Sequence, residues 1–148
     1  MEVVIRKAEK ADLEEILSLY NQPDMDNGAV LDTTAAEHIF DKMKKYPDYC
    51  IYVAEIGSEV VGTFALAIMD NLAHSGTPSG LIEDVVVSAT LQGKGIGRSM
   101  MEQAIMVCRE KGCYKVALSS NLKREKAHRF YEGIGFRKHG YSFLMELL

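Results

Sequence analysis

The chain has 148 residues, 47% hydrophobic and 26% charged, with 12 glycines and 3 prolines, which is the profile of one ordinary globular domain over residues 1–148. That composition excludes collagen-like, low-complexity and mostly disordered chains. Seventeen lysines and arginines against 21 aspartates and glutamates leave a net charge of −4, which argues against nucleic acid as the partner.

Val3, Val4 and Ile5 open the chain as a short strand, and Asp12-Leu13-Glu14-Glu15 follows as a helix start in which Asp12 caps and Glu15 reaches back. A polar loop over residues 21–28 leads to Thr34-Ala35-Ala36-Glu37, a second helix start, and Ile39, Phe40 and Met43 give that helix an apolar side until Pro47 stops it. Residues 49–56 and 60–69, joined by Gly57-Ser58-Glu59, form an antiparallel β-hairpin. Residues 70–80 read as a loop, and residues 81–87 form the most strongly apolar strand, expected at the centre of the sheet. A glycine-rich run, Gly93-Lys94-Gly95-Ile96-Gly97, then opens a long helix with Ile96, Met100, Ala104, Val107 and Cys108 on one face, ending near Gly112. A strand over residues 114–118, a helix over 125–132 and two short strands around Gly140 within 136–148 complete the expectation.

Three cysteines, Cys50, Cys108 and Cys113, leave at least one unpaired, and no Cys-x-x-Cys or paired Cys/His spacing occurs. The expectation is a cytoplasmic protein with no metal site. The opening MEVVIRKAEKADLEE is amphipathic where a signal peptide needs a long apolar core, and apolar runs such as residues 64–69 are too short to span a bilayer, so neither export nor a membrane partner is expected.

The glycine run carries the chemistry. A strand running into Gln92-Gly93-Lys94-Gly95-Ile96-Gly97-Arg98 and then a helix gathers backbone N–H groups, a helix N-terminus and two cations at one point, which makes an anion site suited to a pyrophosphate. The spacing is not that of a P-loop, which ends in Gly-Lys-Ser/Thr, nor that of a dinucleotide fingerprint, because Met100 stands where its last glycine belongs.

Three segments in order, residues 81–87 (LIEDVVV), residues 92–97 (QGKGIG) and residues 130–136 (FYEGIGF), resemble the GNAT superfamily of N-acetyltransferases. Gln92, Gly95 and Gly97 fill the superfamily's phosphate-loop pattern, and Tyr131, Gly135 and Phe136 fill its late Tyr-x-x-x-Gly-Phe element. Residues 118–131 look most like aminoalkylphosphonate N-acetyltransferases, whereas residues 82–87 and 112–116 look like glucosamine-phosphate N-acetyltransferases. The resemblance implies an α/β acyl-CoA N-acyltransferase fold with a central mixed, mostly antiparallel twisted sheet of about six to seven strands and about four flanking helices.

It also implies transfer of an acetyl group from acetyl-CoA to a small-molecule amine, with a peptide or protein amine, or a CoA-binding module without turnover, as the alternatives. Val85, Val86 and Val87 would present backbone groups to the pantetheine arm, and one N–H there would polarise the thioester carbonyl. Gln92, Gly93, Lys94, Gly95, Ile96, Gly97 and Arg98 would bind the cofactor, as would Asn121; Asn121, Lys123, Arg124 and Lys126 make a second cationic cluster near the expected CoA groove, and one of the two clusters would meet the CoA phosphates. Tyr131 would bind the cofactor and protonate the departing thiolate. Glu83, placed by strict alternation on the same side of its strand as Val85, would draw a proton from the attacking ammonium, with Asp84 on the other face as second choice and a simple ion pair as the competing reading. Many superfamily members carry an asparagine seven residues before the tyrosine, where this chain has Arg124; the nearest amide is Asn121. Among the histidines, His74 precedes the central strand and His128 lies one turn before Tyr131. Asp24, Asp26, Asp32 and Asp70 in the loops suggest a cationic amine. Members of this superfamily often pair through their C-terminal strands, and Tyr141, Phe143, Leu144 and Met145 would supply the apolar material of a homodimer.

Overall fold

The structure, a computed structural model, describes residues 2–23, 25 and 28–148; Asp24 and Asp26, two of the acidic loop residues above, lie outside the described residues. The chain divides into two compact units, residues 1–117 and 118–148.

In the first unit, strands β1 (Val4–Lys7), β2 (Tyr49–Ile56), β3 (Glu59–Met69), β4 (Ser79–Val87) and β5 (Lys115–Ala117) form one sheet in that order. The pairings are antiparallel except β4 with β5, which run parallel. The hairpin of β2 and β3 forms as its β-branched and aromatic arms predict, with Gly57 at φ 63° in the turn. The central position belongs to β3, whose residues Val60, Val61, Thr63, Phe64, Ala65 and Leu66 are all buried. The apolar run expected at the centre is instead β4, one strand further out, because Glu83 and Asp84 expose its middle.

Three helices serve this sheet. Helices α1 (Leu13–Tyr20) and α2 (Thr33–Met43) bury Leu13, Ile16, Leu19, Ala36 and Phe40 in one cluster with Val53, Val60 and Val86 of the sheet. Helix α3 (Ile96–Glu110) buries Ile96, Met100, Met101, Ala104 and Cys108. Met100 and Met101 are wholly inaccessible, the core filler that their helical spacing predicts. The Tyr52 and Phe64 rings stack at 5.0 Å. Gly80 of β4 lies directly under Cys108: a Cβ there would collide with the Cys108 sulfur.

The helix starts differ in detail from the sequence expectation. Asp12 makes no side-chain cap of α1; its carboxylate takes two bonds from the Arg6 guanidinium, at 2.7 and 2.9 Å, and one from the Glu9 N–H at 2.7 Å. Glu15 accepts instead from the Val60 N–H at 3.0 Å. The Glu9 bond is half of a capping box over the 3₁₀ turn Lys10–Asp12, so Asp12 caps the turn before α1 while holding Arg6, and Glu15 is drawn to a charge-assisted partner on β3. Asp32, assigned to a substrate loop, is the N-cap of α2 and accepts from the Ala35 N–H at 2.8 Å.

In the second unit, helix α4 (Glu125–Ile134) is the only regular element among the described residues. The two strands expected within 136–148 are absent, so the sheet has five strands and not six to seven. Residues 141–145 have the apolar character of a strand, but Tyr141, Phe143, Leu144 and Met145 are each at least 80% exposed. A strand needs a ladder partner and a face to bury, and a lone hairpin is marginal without them.

Two measurements check the packing. Gly80→Ala should lower unfolding stability by about 1–3 kcal/mol through overpacking against Cys108, and Cys108→Ala in the same chain should restore most of it in urea titrations. The Arg6 bonds hold the Asp12 carboxyl below its ordinary value of 3.8. With the folded value below the unfolded one, the stabilisation is complete above the unfolded value and disappears as pH falls through the folded one. Asp12→Asn should therefore cost about 1–3 kcal/mol at neutral pH and close to nothing once the wild-type carboxyl is protonated.

Candidate active site

The register between β3 and β4 steps at one point: Ala65 faces Glu83 and Thr63 faces Val86. Phe64 therefore stands opposite two residues, Asp84 and Val85, which is a β-bulge. Asp84 takes φ 55°, a left-handed conformation that is strained for a residue with a Cβ. The bulge cancels the alternation assumed from sequence. Glu83 shares its face with Val86, which closes the core with Val53, and its relation to Val85 is not the period-two one. Asp84 lies inside the bulge, where period-two alternation no longer assigns it the opposite face, and the Asp84 and Glu83 charges push the Tyr49 phenol up beyond the effect of burial.

Beyond the bulge, β4 is open along one edge. β5 pairs only with Ser79, Gly80 and Leu81, so residues 82–87 have no strand on that side and the backbone of Val85, Val86 and Val87 has no ladder there. The strand then passes through a short 3₁₀ turn, Ala89–Leu91, to the glycine run. The Gln92 amide donates back to the Val87 carbonyl at 3.5 Å, and Gly93 and Gly95 take φ 78° and 86°. Gly95 is the N-cap of α3 and brings no capping side chain; its carbonyl accepts from the N–H and the hydroxyl of Ser99. The first-turn N–H groups of Ile96, Gly97 and Arg98 are thus left without an intrahelical acceptor. Open strand backbone and a bare helix N-terminus follow each other within a dozen residues, as an anion on a long flexible arm requires.

The predicted loop residues divide into two kinds. Lys94 and Gln92 are exposed, whereas the Ile96 side chain is buried in the core, so only its backbone can meet a ligand. Arg98 pairs with Glu102 at 3.0 Å on the exposed side of the helix.

In the second unit the Tyr131 motif has a local logic. Gly135 ends α4 at φ 121°, a value that favours glycine, and the Phe136 N–H bonds to the Tyr131 carbonyl at 3.1 Å. The turn brings the Phe136 ring edge-on to Tyr131 at 5.8 Å, while Phe130 lies at 5.1 Å. Burial pushes the Tyr131 phenol above its ordinary value and the Arg124 charge pulls it partly back. Asn121 uses its side-chain oxygen for the Lys123 N–H at 2.9 Å and its carbonyl for His128 Nε2 at 2.8 Å. His128 is thereby tied into the turn before α4. His74 stacks on Tyr114 at 4.3 Å, a packing role.

Sequence reasoning passed over three features: Ser120, whose buried hydroxyl has no hydrogen-bond partner; the stacked rings of Tyr46 and Tyr49, 6.0 Å apart at 13°; and the left-handed Asp84. Only the Glu83-Asp84 pair inside an apolar run offered a signal, since bulges are common beside active sites.

The profile of the acetyltransferase (GNAT) family matches residues 11–136. Over 88 residues the chain is 39% identical to the glucosamine 6-phosphate N-acetyltransferase of Trypanosoma brucei brucei, covering 60% of this chain and 58% of that protein. It is 34% identical over 89 residues to the aminoalkylphosphonate N-acetyltransferase of Salmonella typhimurium, covering 60% and 57%, so it spans somewhat over half the length of these curated relatives. The crystal structure of a Trypanosoma brucei acetyltransferase superposes with a TM-score of 0.85 at 30% identity, over 99% of this chain and 100% of that one. The match of that profile over residues 11–136, which take in the open β4 edge, the glycine run and the Tyr131 turn, places this chain in the acetyltransferase (GNAT) family.

Proposed function

We propose that the protein is an N-acetyltransferase that moves the acetyl group of acetyl-CoA to the primary amine of a small molecule by direct attack in a ternary complex, working as a single domain over residues 1–148. The observation that carries this reading is the unpaired edge of β4 running into the bare N-terminus of α3. The β4 backbone offers hydrogen bonds to the pantetheine amides, and the N–H groups of residues 95–98, with Lys94 beside them, take the pyrophosphate.

The step balances as follows. The amine nitrogen, having lost a proton to Glu83 directly or through water, attacks the thioester carbonyl; the C–N bond forms, an N–H on β4 bears the oxyanion, and the C–S bond breaks. Tyr131 gives its proton to the thiolate, and the second N–H proton shed by the new amide nitrogen passes back to the phenolate, directly or through water. A tyrosine phenol holds its proton at neutral pH and so has it to give; burial raises this one further, which makes it the weaker acid and leaves positioning to do the rest. Asn121 lends its remaining amide N–H donors to the cofactor.

A cytoplasmic setting accords with three free cysteines. No helix among the described residues is long and apolar enough to cross a membrane. Pairing of two copies through residues 141–148 accords with the exposure of Tyr141, Phe143, Leu144 and Met145; light scattering at twice 16.5 kDa checks it.

The deciding experiment follows CoA release from acetyl-CoA, with mass detection of product, over glucosamine 6-phosphate, aminoalkylphosphonates, diamines, aminoglycosides and lysine peptides. Turnover on a small amine supports the reading, turnover on peptides alone replaces the acceptor class, and acetyl-CoA binding without any product indicates a CoA-binding module. Tyr131→Phe should lower kcat by about 100-fold with acetyl-CoA binding retained, and Glu83→Gln should slow turnover mainly near neutral pH. Gly95→Val should weaken acetyl-CoA binding by about tenfold or more, because a side chain at positive φ strains the turn and shields the N–H groups; calorimetry reads this directly, and undiminished affinity would remove the loop from the site.

A further inference from the structure

The acceptor of a GNAT enzyme is an amine, but the rest of that molecule is set by what lines the sheet beside Glu83. The register places Tyr49, Ala67 and Leu81 in one row across β2, β3 and β4, and Ile51, Ala65 and Glu83 in the next row on the same face. With neighbouring strands about 4.8 Å apart, Tyr49 and Glu83 stand about 10 Å apart across the sheet and one row apart along it. The residues between them on β3 are alanines, so the floor is low and the two ends rise as walls. One wall is aromatic: Tyr46 is exposed and lies nearly parallel to Tyr49 at 6.0 Å. The other is acidic: Glu83 and, through the bulge, Asp84, both exposed.

The charges acting on the Tyr49 phenol come from Asp84 and Glu83, and they raise it further once burial has done so. Among the described residues, Lys44 sits 4.7 Å over the Phe40 ring, Lys111 pairs with Asp48 at 3.2 Å, and Lys115 lies over Tyr114. The cradle sets two carboxylates opposite two tyrosine rings. Carboxylates attract a cation, and tyrosine faces hold one through their negative quadrupole. A phosphate in the same place would meet two like charges.

We propose that the acceptor is a small dication, a primary amine joined by a short alkyl chain to a second ammonium, with the reacting nitrogen at Glu83 and the second charge held between Asp84 and the Tyr46–Tyr49 pair. This rests on the acetyltransferase reading and narrows its substrate class. It sets this chain apart from the two relatives named for phosphate- and phosphonate-bearing amines.

The test uses the full chain with acetyl-CoA and four acceptors: 1,4-diaminobutane, butylamine, glucosamine 6-phosphate and aminomethylphosphonate. The expected result is a kcat/KM for diaminobutane about tenfold or more above that for butylamine, and above both phosphorus acids, the difference a cation on an aromatic and carboxylate wall supplies. Asp84→Asn keeps a residue that tolerates the left-handed conformation and Tyr46→Leu changes an exposed ring; each should shrink the diamine-to-monoamine ratio several-fold, chiefly through KM. Glucosamine 6-phosphate or aminomethylphosphonate outrunning diaminobutane overturns the dication while leaving the acetyltransferase standing. A ratio unmoved by both substitutions overturns the assigned walls. No turnover on any of the four, with CoA release on an aminoglycoside or a lysine peptide, overturns the dication alone, and no turnover on any amine overturns the acetyltransferase reading with it.

Discussion

Opposite Phe64, β4 fits two residues into the space of one, and that insertion governs the first unit. A strand alternates its faces strictly, so one extra residue exchanges the faces of everything after it. Before the bulge Glu83 faces the same way as Ala65; after it Val86 also faces that way and closes the core with Val53 and Ile16. Without the insertion, either Val86 would leave the core or Glu83 would be turned away from the Tyr49 side. Asp84 bears the conformational cost by adopting φ 55°, a strain of about 1–2 kcal/mol that Ile82 and Val86, buried on either side of the bulge, hold in place.

Apolar packing on the other face of the sheet fixes the glycine run. Ile96 is buried one residue after the left-handed Gly95, and Met100, Met101, Ala104 and Cys108 continue its contact face. The helix N-terminus is thus a rigid object whose position is set by apolar packing, while the groups it presents are polar. That division of labour suits a phosphate site, because N–H groups held in place before the ligand arrives need no reorganisation when it does. Gly80 lets Cys108 come close to β4 at the other end of the helix, so α3 is tied down along its length.

The second unit follows a different principle. Its motif works within a few residues: a glycine ends the helix, and the chain folds back so that Phe136 meets the tyrosine five residues earlier in the helix edge-on. Burial raises the Tyr131 phenol, with Phe130 and Phe136 packed against its ring, and Arg124 at the helix start moderates it.

Elements whose signals are local were legible in the sequence: the β2–β3 hairpin through its turn, α3 through its apolar face, the glycine loop, and the Tyr131-Gly135-Phe136 turn. These depend on residues close together in the chain, where periodicity and positive-φ glycines carry the information. Asp12 and Glu15 were misread because Asp12 closes a capping box with Glu9 one turn early while also taking Arg6 of β1, and Glu15 takes the Val60 N–H of β3, partners that only the folded strands supply. The C-terminal strands were misread because apolar alternation declares a wish to pair and cannot name the partner. The bulge, the open edge of β4 and the cradle of Tyr46, Tyr49, Glu83 and Asp84 exist only once β2, β3 and β4 lie side by side. Register is a property of two strands at once, and no single strand's sequence contains it.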